Sequence, residues 1–250
     1  MLAPPELFGI VEENIYRCTE IDALNFPFLQ TLSLNTILSI GQEKPSPAVE
    51  LFARENNIKI THMQLPVWKI SEEEWKLLPD AVVQRSLSYV LNMKYYPLLI
   101  IDLSCTFIGV LRKLQHWNLS SIINEYREMS FDRSQYLYEL YIELVDLSKF
   151  SIPRLRLLDP TTTENNNNNN NGHTENGVAK RDGLAIETCG HQGGNGHQHH
   201  DDDDDDDEAS GQYDLSLFPV ELLPEWYIEH ERMWLEDKLR CIEAKRKHVG

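Results

Sequence analysis

The side chains best suited to covalent chemistry in this sequence are its four cysteines, Cys18, Cys105, Cys189 and Cys241. A cysteine that attacks phosphorus needs an arginine six residues later. One tight loop must then present the thiolate, several N–H groups and a guanidinium that grips two phosphate oxygens. The residues six positions after the four cysteines are Leu24, Leu111, Asn195 and Lys247. None of them is arginine, so the sequence lacks the signature of cysteine-based phosphoryl transfer.

Other catalytic and metal-binding signatures are also missing from the sequence. It contains no GxGxxG or GxxxxGK[ST] loop, no HExxH and no GxSxG. The cysteines form no CxxC pair, which argues against a zinc module or a disulfide framework and favours a reducing compartment. Four histidines next to an aspartate run could bind a divalent metal weakly: His191, His197, His199 and His200. We interpret this tract as solvated low-complexity sequence and predict neither a metal nor a cofactor.

The charge of the chain restricts its partners. Its formal net charge is −17, and the run from Asp201 to Glu208 supplies eight of the negative charges, which leaves −9 elsewhere. Binding to nucleic acid or to an anionic membrane needs clustered Lys and Arg, so we expect neither partner. No apolar run is long enough to span a membrane, and the N-terminus lacks the basic and apolar regions of a signal peptide.

The element that would position a phosphate site lies between Pro97 and Trp117. Leu98–Ile101 is a short apolar run typical of a buried strand, and Thr106–Trp117 has the apolar spacing of a buried helix. The N-terminus of a helix that directly follows a strand offers free N–H groups to an anion. Here, however, the link between strand and helix is very short and contains the carboxylate of Asp102.

The surrounding pattern predicts an α/β fold. Strands are expected near residues 14–18, 36–40 and 58–65, in addition to the central strand, and helical segments separate them. Ser46 is a predicted helix cap, Asn118 or Ser120 is predicted to cap another helix, and Pro79 is predicted to open a further one. This alternation indicates a small parallel sheet with helices on its faces, about 150 residues long.

The second half of the chain has a different composition. We predict a domain at residues 1–158, a disordered Asn-, His- and Asp-rich linker at 159–212, and an amphipathic helix within 213–250. In that helix Ile228, Leu235, Leu239 and Ile242 share one face. The face needs a surface to cover, which is either the chain's own domain or a partner protein.

Several segments carry a resemblance to a known family: NIYRC, TILSI, IKITHMQLPV, LPDAVVQRSLSYVLN and GVLRKLQHWNLSSIINEYREMS. They resemble the plant and fungal atypical dual-specificity phosphatases, in particular the fungal oxidant-induced cell-cycle-arrest (OCA) tyrosine-phosphatase-like proteins. The likeness covers roughly residues 1–150 and is most specific over Arg112–Arg127. It implies a cysteine-phosphatase fold, a cytoplasmic location and hetero-oligomers with related phosphatase-like proteins. In active relatives it implies hydrolysis of phosphotyrosine or inositol pyrophosphates.

Aligned with that family, the present chain has a degenerate loop at Asp102, Leu103, Ser104, Cys105 and Thr106. It is about six residues short of the family's His-Cys-x5-Arg-Thr-Gly, with Asp102 at the histidine position and Leu103 at the nucleophile. A carboxylate about 4 Å from each phosphate charge would cost about 4 kcal/mol at an effective dielectric near 20. We therefore interpret Asp102 as a cap of the following helix. The loop that holds the family's general acid corresponds to Val67–Glu74, whose carboxylates we assign to a capped turn.

The sequence thus predicts a catalytically inactive, phosphatase-like protein that binds related phosphatase-like proteins. One alternative is a residual phosphatase that uses Cys105 as nucleophile and Arg112 as a displaced anion clamp. Another is a non-hydrolysing sensor of a phosphorylated metabolite.

Overall fold

The computed structural model describes residues 2–66, 77–157, 179–181, 184–188 and 220–249. The chain forms two compact units, one built from residues 1–150 and 220–250 and the other from residues 151–219. The larger unit contains the predicted α/β domain, and the two units are described separately below.

The larger unit is built on a five-stranded sheet. Its strands are β1 (Gly9–Glu12), β2 (Ile15–Cys18), β3 (Thr36–Gly41), β4 (Lys59–Gln64) and β5 (Leu98–Asp102). Their order in the sheet is β1-β2-β5-β3-β4; β2 to β5 are parallel, and β1 pairs antiparallel with β2 at the edge. The predicted α/β fold with a small parallel sheet is confirmed, and β1 is an addition that the sequence pattern did not indicate.

Helices cover both faces of this sheet. Their bounds are α1 (Phe26–Gln30), α2 (Pro47–Glu55), α3 (Asp80–Val90), α4 (Thr106–Leu114), α5 (Leu119–Ser130), α6 (Tyr136–Leu144) and α7 (Glu225–Val249). The cap predicted at Ser46 is confirmed, since its side chain accepts the Val49 N–H, and of the two candidates for α5 the cap is Asn118, which accepts the Ser121 N–H. Helices on both faces explain why β5 is a continuous apolar run, with Leu98, Leu99 and Ile100 fully buried.

Two apolar clusters hold the layers together. In the first, Leu29 of α1 and Phe52 of α2 pack with Ile37 and Leu99 of the sheet. The second joins the helical layer of α4, α5 and α6. Gly109 of α4 makes this layer tight, because a Cβ atom built there would lie 2.5 Å from Ile142 Cδ1 of α6.

Helix α7 returns to the domain with its first turns. Leu223, just before the helix, and Tyr227 and Ile228 within it are buried, and Trp226 Nε1 donates to the hydroxyl of Tyr96 at 3.3 Å. For this part of the helix, the surface that covers its apolar face is the chain's own domain. Among the described helices, none is long and apolar enough to cross a membrane.

The smaller unit contains an antiparallel sheet of order β6-β8-β7, formed by β6 (Pro153–Leu157), β7 (Ala179–Arg181) and β8 (Leu184–Thr188). Strand β6 begins inside the segment predicted as the end of the first domain. Strands β7 and β8 place eight residues of the linker predicted to be disordered in a sheet. The rest of that linker, including the histidine and aspartate tracts, lies outside the described residues.

Candidate functional site

A cleft of about 830 Å³ opens at the carboxyl ends of the parallel strands. Its walls include Thr19 after β2, Gly41 at the end of β3, Leu65 after β4 and Asp102 at the end of β5. Open α/β sheets place their ligand sites at this edge, where neighbouring strands lead into connections on opposite faces. The cleft is therefore the place to look for phosphate chemistry.

Asp102 occupies the position in the cleft where an anion would meet the N-terminus of α4. Its Oδ2 accepts the N–H of Phe107 at 2.8 Å. Its Oδ1 accepts the N–H and the hydroxyl of Ser104 at 2.9 and 2.6 Å. The predicted role of Asp102 as a cap of the following helix is confirmed by these contacts. The carboxylate thus holds N–H groups that could otherwise bind a phosphate oxygen.

The Asp102 side chain is almost completely buried, with 4% of the residue exposed. Burial raises the pKa of this carboxyl, whereas the hydrogen bonds from Ser104, Phe107 and Cys105 act in the opposite direction. Three donors aimed at one carboxyl group suit its ionised form, since a carboxylate accepts at both oxygens. Asp102 is therefore a structural acceptor with little access to a ligand.

Cys105, the candidate nucleophile, is buried as a protonated thiol. The residue is 5% exposed, and its Sγ donates to the carbonyl oxygen of Met129 at 3.3 Å. Burial, with a smaller contribution from Asp102, raises the pKa of the thiol to about 12. A nucleophilic cysteine needs the thiolate near neutral pH, and Cys105 does not provide it. Its backbone is left-handed, with φ of 55°, where it directly precedes α4.

The remaining residues of the degenerate loop lack catalytic geometry. Leu103, at the nucleophile position implied by the resemblance, lines the cleft and is 54% exposed. Ser104 directs its hydroxyl to Asp102, and Thr106 is fully buried with its Oγ1 3.3 Å from the carbonyl oxygen of Ser104. The loop therefore offers an aliphatic side chain, not a nucleophile, to the cleft.

Arg112, the candidate anion clamp, is committed to buried ion pairs. Its Nε and Nη2 form a fork on Glu125 at 2.8 and 3.1 Å, and its Nη1 contacts Glu12 Oε1 at 3.0 Å and Gln115 Oε1 at 2.9 Å. The guanidinium also lies over the ring of Trp117, 4.5 Å from the centroid. These contacts tie α4 to α5 and to β1, and they leave no direction free for a phosphate.

Arg17 extends the same ionic network into the sheet. Its Nη2 lies 3.5 Å from Glu125 Oε1, and the side chain is buried against Gly9 of the neighbouring strand. Burial lowers the pKa of Arg17, and the Glu125 carboxylate opposes that effect. Two arginines and two glutamates therefore join β1, β2, α4 and α5 beneath the surface.

Among the residues that the structure describes, the cations that line the cleft are Lys44 and Arg133, and neither belongs to a motif visible in the sequence. Arg133 Nη2 is already paired with Glu6, at 3.0 and 3.1 Å from its two carboxylate oxygens. The lining also contains Glu20 and Glu43 in addition to Asp102. Isolated basic residues in connecting segments carry no sequence signature, so only the fold shows that Lys44 and Arg133 share one cleft.

A second polar contact that the sequence did not reveal lies at the other end of α4. His116 Nε2 is 2.8 Å from Glu231 Oε1 of α7, and the His116 ring stacks on Trp234 at 4.4 Å. Glu231 is 3% exposed. The contact fixes the first turns of α7 against the domain.

Two sequence predictions cannot be located in the cleft. The carboxylates of the Val67–Glu74 segment and the histidine cluster of the linker both lie outside the described residues. Among the residues that are described, no group of three His, Cys, Asp or Glu side chains could hold a metal ion.

The fold and the degenerate loop together define a protein with the architecture of a cysteine phosphatase. The sequence profile of the tyrosine phosphatase family matches residues 2–160, which is more than half of the chain. The chain belongs to the tyrosine phosphatase family.

Named relatives and a solved structure agree with this assignment. OCA1 of Mycosarcoma maydis is 36% identical over 152 residues, covering 58% of this chain and 94% of that protein. Protein OCA4 of Saccharomyces cerevisiae is 30% identical over 203 residues, but the match covers only 56% of that protein. The core catalytic domain of the PP-IP phosphatase SIW14 from S. cerevisiae, solved with citrate, superimposes with a TM-score of 0.53 at 30% identity. This match covers 58% of the present chain and 89% of the solved catalytic-domain chain.

Proposed function

We propose that this protein is a catalytically inactive member of the tyrosine phosphatase family that acts as an interaction subunit for related phosphatase-like proteins. The observation that carries the proposal is the Asp102 carboxylate, which accepts the Phe107 N–H of α4 at 2.8 Å. In this position the helix N-terminus already holds an anion that belongs to the protein itself. A phosphate dianion would have to displace it against charge repulsion.

The state of the cysteine and arginine side chains supports inactivity. Cys105 is a buried thiol whose pKa is raised to about 12, mainly by burial. Arg112 is 5% exposed and forms its fork on Glu125. Cysteine-based hydrolysis requires a thiolate and a free guanidinium, and Cys105 and Arg112 supply neither.

Exposed apolar side chains near the cleft support the interaction role. Phe131, Tyr136 and Leu137 are 76%, 73% and 40% exposed, and Leu103 at the cleft wall is 54% exposed. Phe131 has a φ of 49° and a ψ of −118°, a backbone conformation that is costly for any residue except glycine. Strained backbone conformations cluster at ligand and switch sites, so the exposed Phe131 side chain supports a recognition role for this surface.

The identity of the relatives supports the choice of partner class. The chain is similar to OCA1 and OCA4, and a related phosphatase-like chain offers the same fold for recognition. We also propose that the protein belongs to the atypical dual-specificity group and acts in the cytoplasm, as the resemblance of its sequence implies. The cleft gives less support to a phosphate sensor, because its described lining contains two cations and three carboxyl groups.

Catalytic inactivity is tested with the full chain and p-nitrophenyl phosphate, a phosphotyrosine peptide and an inositol pyrophosphate. We expect no turnover above that of the Cys105→Ser variant. Hydrolysis by the parent chain that Cys105→Ser abolishes would show that the protein is an enzyme. Calorimetry with the inositol pyrophosphate adds a separate readout. Heat of binding without hydrolysis would favour the sensor, because it would show that the protein binds a phosphorylated ligand.

The interaction role is tested by affinity purification of the full chain and identification of the captured proteins by mass spectrometry. We expect members of the same phosphatase family to be enriched, and we expect Phe131→Gly to reduce their recovery. Glycine adopts the backbone conformation of Phe131 without strain, so this variant should remain folded. Leu24→Gln, at an 80% exposed leucine near α1, is the matched control and should recover the same proteins. Recovery that Phe131→Gly leaves unchanged would exclude this surface as the interaction site.

A further inference from the structure

The outer half of α7 has an apolar stripe that extends beyond the domain. Ile228, Leu235 and Ile242 recur every seven residues, and Leu239 lies between the last two. Ile228 is buried on the domain, Leu235 and Leu239 are half-buried, and Ile242 is 40% exposed. The stripe thus begins in contact with the chain's own core and continues where side chains are solvated.

The outer half of α7 extends beyond the turns that pack on the domain, so its apolar face needs another surface. The helix ends at Val249, so fifteen residues follow Trp234, a length of about 22 Å at 1.5 Å per residue. Between Met233 and Lys245, every side chain is exposed or half-buried. A helical segment of this length is marginally stable in water when its apolar face is uncovered.

The spacing of the stripe is that of a two-stranded coiled coil. Leu235 and Ile242, seven residues apart, occupy d positions of a heptad, and Leu239 occupies the a position between them. The a positions on either side are Arg232 and Arg246, so two such helices would bury Leu235, Leu239 and Ile242 against each other. Their e and g side chains then flank the apolar contact and decide which partner and which direction are allowed.

The charges that flank the stripe identify the partner. The e positions are all glutamate, at Glu229, Glu236 and Glu243, whereas the g positions of the outer half are Lys238 and Lys245. In a parallel pair, a g residue lies opposite the e residue five positions later on the other helix. Lys238 would therefore lie opposite Glu243 of the partner subunit, twice by symmetry. An antiparallel pair would place glutamate against glutamate and lysine against lysine.

We infer that the outer half of α7 pairs in parallel and in register with the same segment of a second copy of this chain. The contact is isologous, so it closes into a two-fold symmetric dimer. The two domains lie at the N-terminal end of the short coiled coil. The pairing uses no residue of the cleft, so it stands or fails independently of the proposed function.

The dimer is tested by sedimentation equilibrium of the full chain over a range of concentrations. We expect a monomer–dimer equilibrium. Leu235→Gln with Leu239→Gln should raise its dissociation constant at least tenfold, which corresponds to about 1.4 kcal/mol. Glutamine preserves helix propensity, so circular dichroism should be unchanged. Met233→Gln, at a 57% exposed residue on the opposite side of the helix, is the matched control and should leave the dimer intact.

Two results would overturn the inference at this stage. One is a chain that remains monomeric at every concentration. The other is a Met233→Gln control that weakens the dimer as much as the double leucine variant, because that would place the contact on another face.

Charge reversal tests the partner and the register. Lys238→Glu and Glu243→Lys should each weaken self-association, because each variant places like charges opposite one another. An equimolar mixture of the two variants should dimerise again, since each chain supplies the charge that the other lacks. Arg240→Glu, on the outer side of α7, is the control and should have no effect. A mixture that stays monomeric would contradict the assigned register.

A disulfide tests the direction. Ile242→Cys is placed in a chain that also carries Cys189→Ser and Cys241→Ser, and oxidised glutathione is added as the oxidant. In a parallel pair two d residues lie side by side, so the two thiols should each lose a hydrogen to form one interchain disulfide. Glu236→Cys in the same background, at a flanking position, should cross-link far less. Equal cross-linking of both variants would exclude a specific parallel seam.

Discussion

The two ends of helix α4 both carry charged side chains that stabilise the fold. The charged groups at the two ends differ in the kind of partner they contact. At the N-terminal end, Asp102 supplies a carboxylate to the free N–H groups of the helix. Near the C-terminal end, Arg112 is enclosed by Glu125 and Glu12, and His116 meets Glu231 of α7. In an active cysteine phosphatase the first end would be reserved for the substrate.

The difference between the ends shows how a catalytic scaffold can be retained without its reaction. At the N-terminal end, Asp102 is satisfied by donors within five residues of it. At the C-terminal end, Arg112 pairs with Glu125, 13 residues away, and with Glu12, 100 residues away, and His116 contacts Glu231, 115 residues away. The first end therefore stabilises a local turn, whereas the second fixes the arrangement of four elements. Substitutions at the two ends should differ accordingly.

The largest effect is expected from Arg112→Met. Removal of the guanidinium leaves Glu12 and Glu125 without their main cation in a buried environment, which typically costs about 3–5 kcal/mol of unfolding free energy. Urea denaturation of the full chain measures the change. Arg127→Met is the matched control, because its ion pair with Glu139 involves an exposed arginine side chain, and its effect should be far smaller. Equal losses would mean that the Arg112 network contributes no more than a surface pair.

A smaller effect is expected from Asp102→Ala at the other end of the helix. The variant leaves buried N–H groups of Ser104 and Phe107 without their acceptor, which costs about 2 kcal/mol of unfolding free energy. The comparison variant is Ser46→Ala, which removes the cap of α2 and should cost about 1 kcal/mol. A loss at Asp102 that equals or exceeds the loss for Arg112→Met would reverse the ranking of the two ends.

The smallest effect is expected from Glu231→Gln. Glutamine fills the same volume and can still hydrogen-bond to His116, so the loss of the charge should cost about 1 kcal/mol of unfolding free energy. Thermal unfolding of the full chain measures it, with Glu229→Gln at an exposed neighbour on α7 as the control. A variant as stable as the control would show that the charge of Glu231 does not hold α7 in place.

Most of the larger unit could be predicted from the sequence because its signals are local. The buried strand Leu98–Asp102, the Ser46 and Asn118 caps and the apolar spacing of α4 are each contained within a few residues. Strand β1 was missed because its four residues, GIVE, are too few to establish an alternation. The β7–β8 pair was missed although Asp182-Gly183 separates the strands, a dipeptide that is a strong hairpin signal. The Asn-, His- and Asp-rich composition of residues 159–212 led instead to a prediction of disorder.

The candidate site was predictable only in part. Asp102 could be identified as a cap because the groups that donate to it are neighbours in sequence. The role of Arg112 could not be derived, since its partners Glu125 and Glu12 lie 13 and 100 residues away on other elements. The same is true of His116 and Glu231. Long-range ion pairs leave no periodic trace in a sequence, so the fold had to be known before these residues could be assigned.

The return of α7 to the larger unit also constrains how the protein is made. Residues 151–219 are synthesised between the two parts of that unit, so Tyr96 and His116 leave the ribosome long before Trp226 and Glu231 exist. Domains usually fold during synthesis from the N-terminal end. Here the surface that receives α7 stays uncovered until α7 itself emerges. A premature stop codon between α6 and α7 would therefore release a domain with this surface exposed.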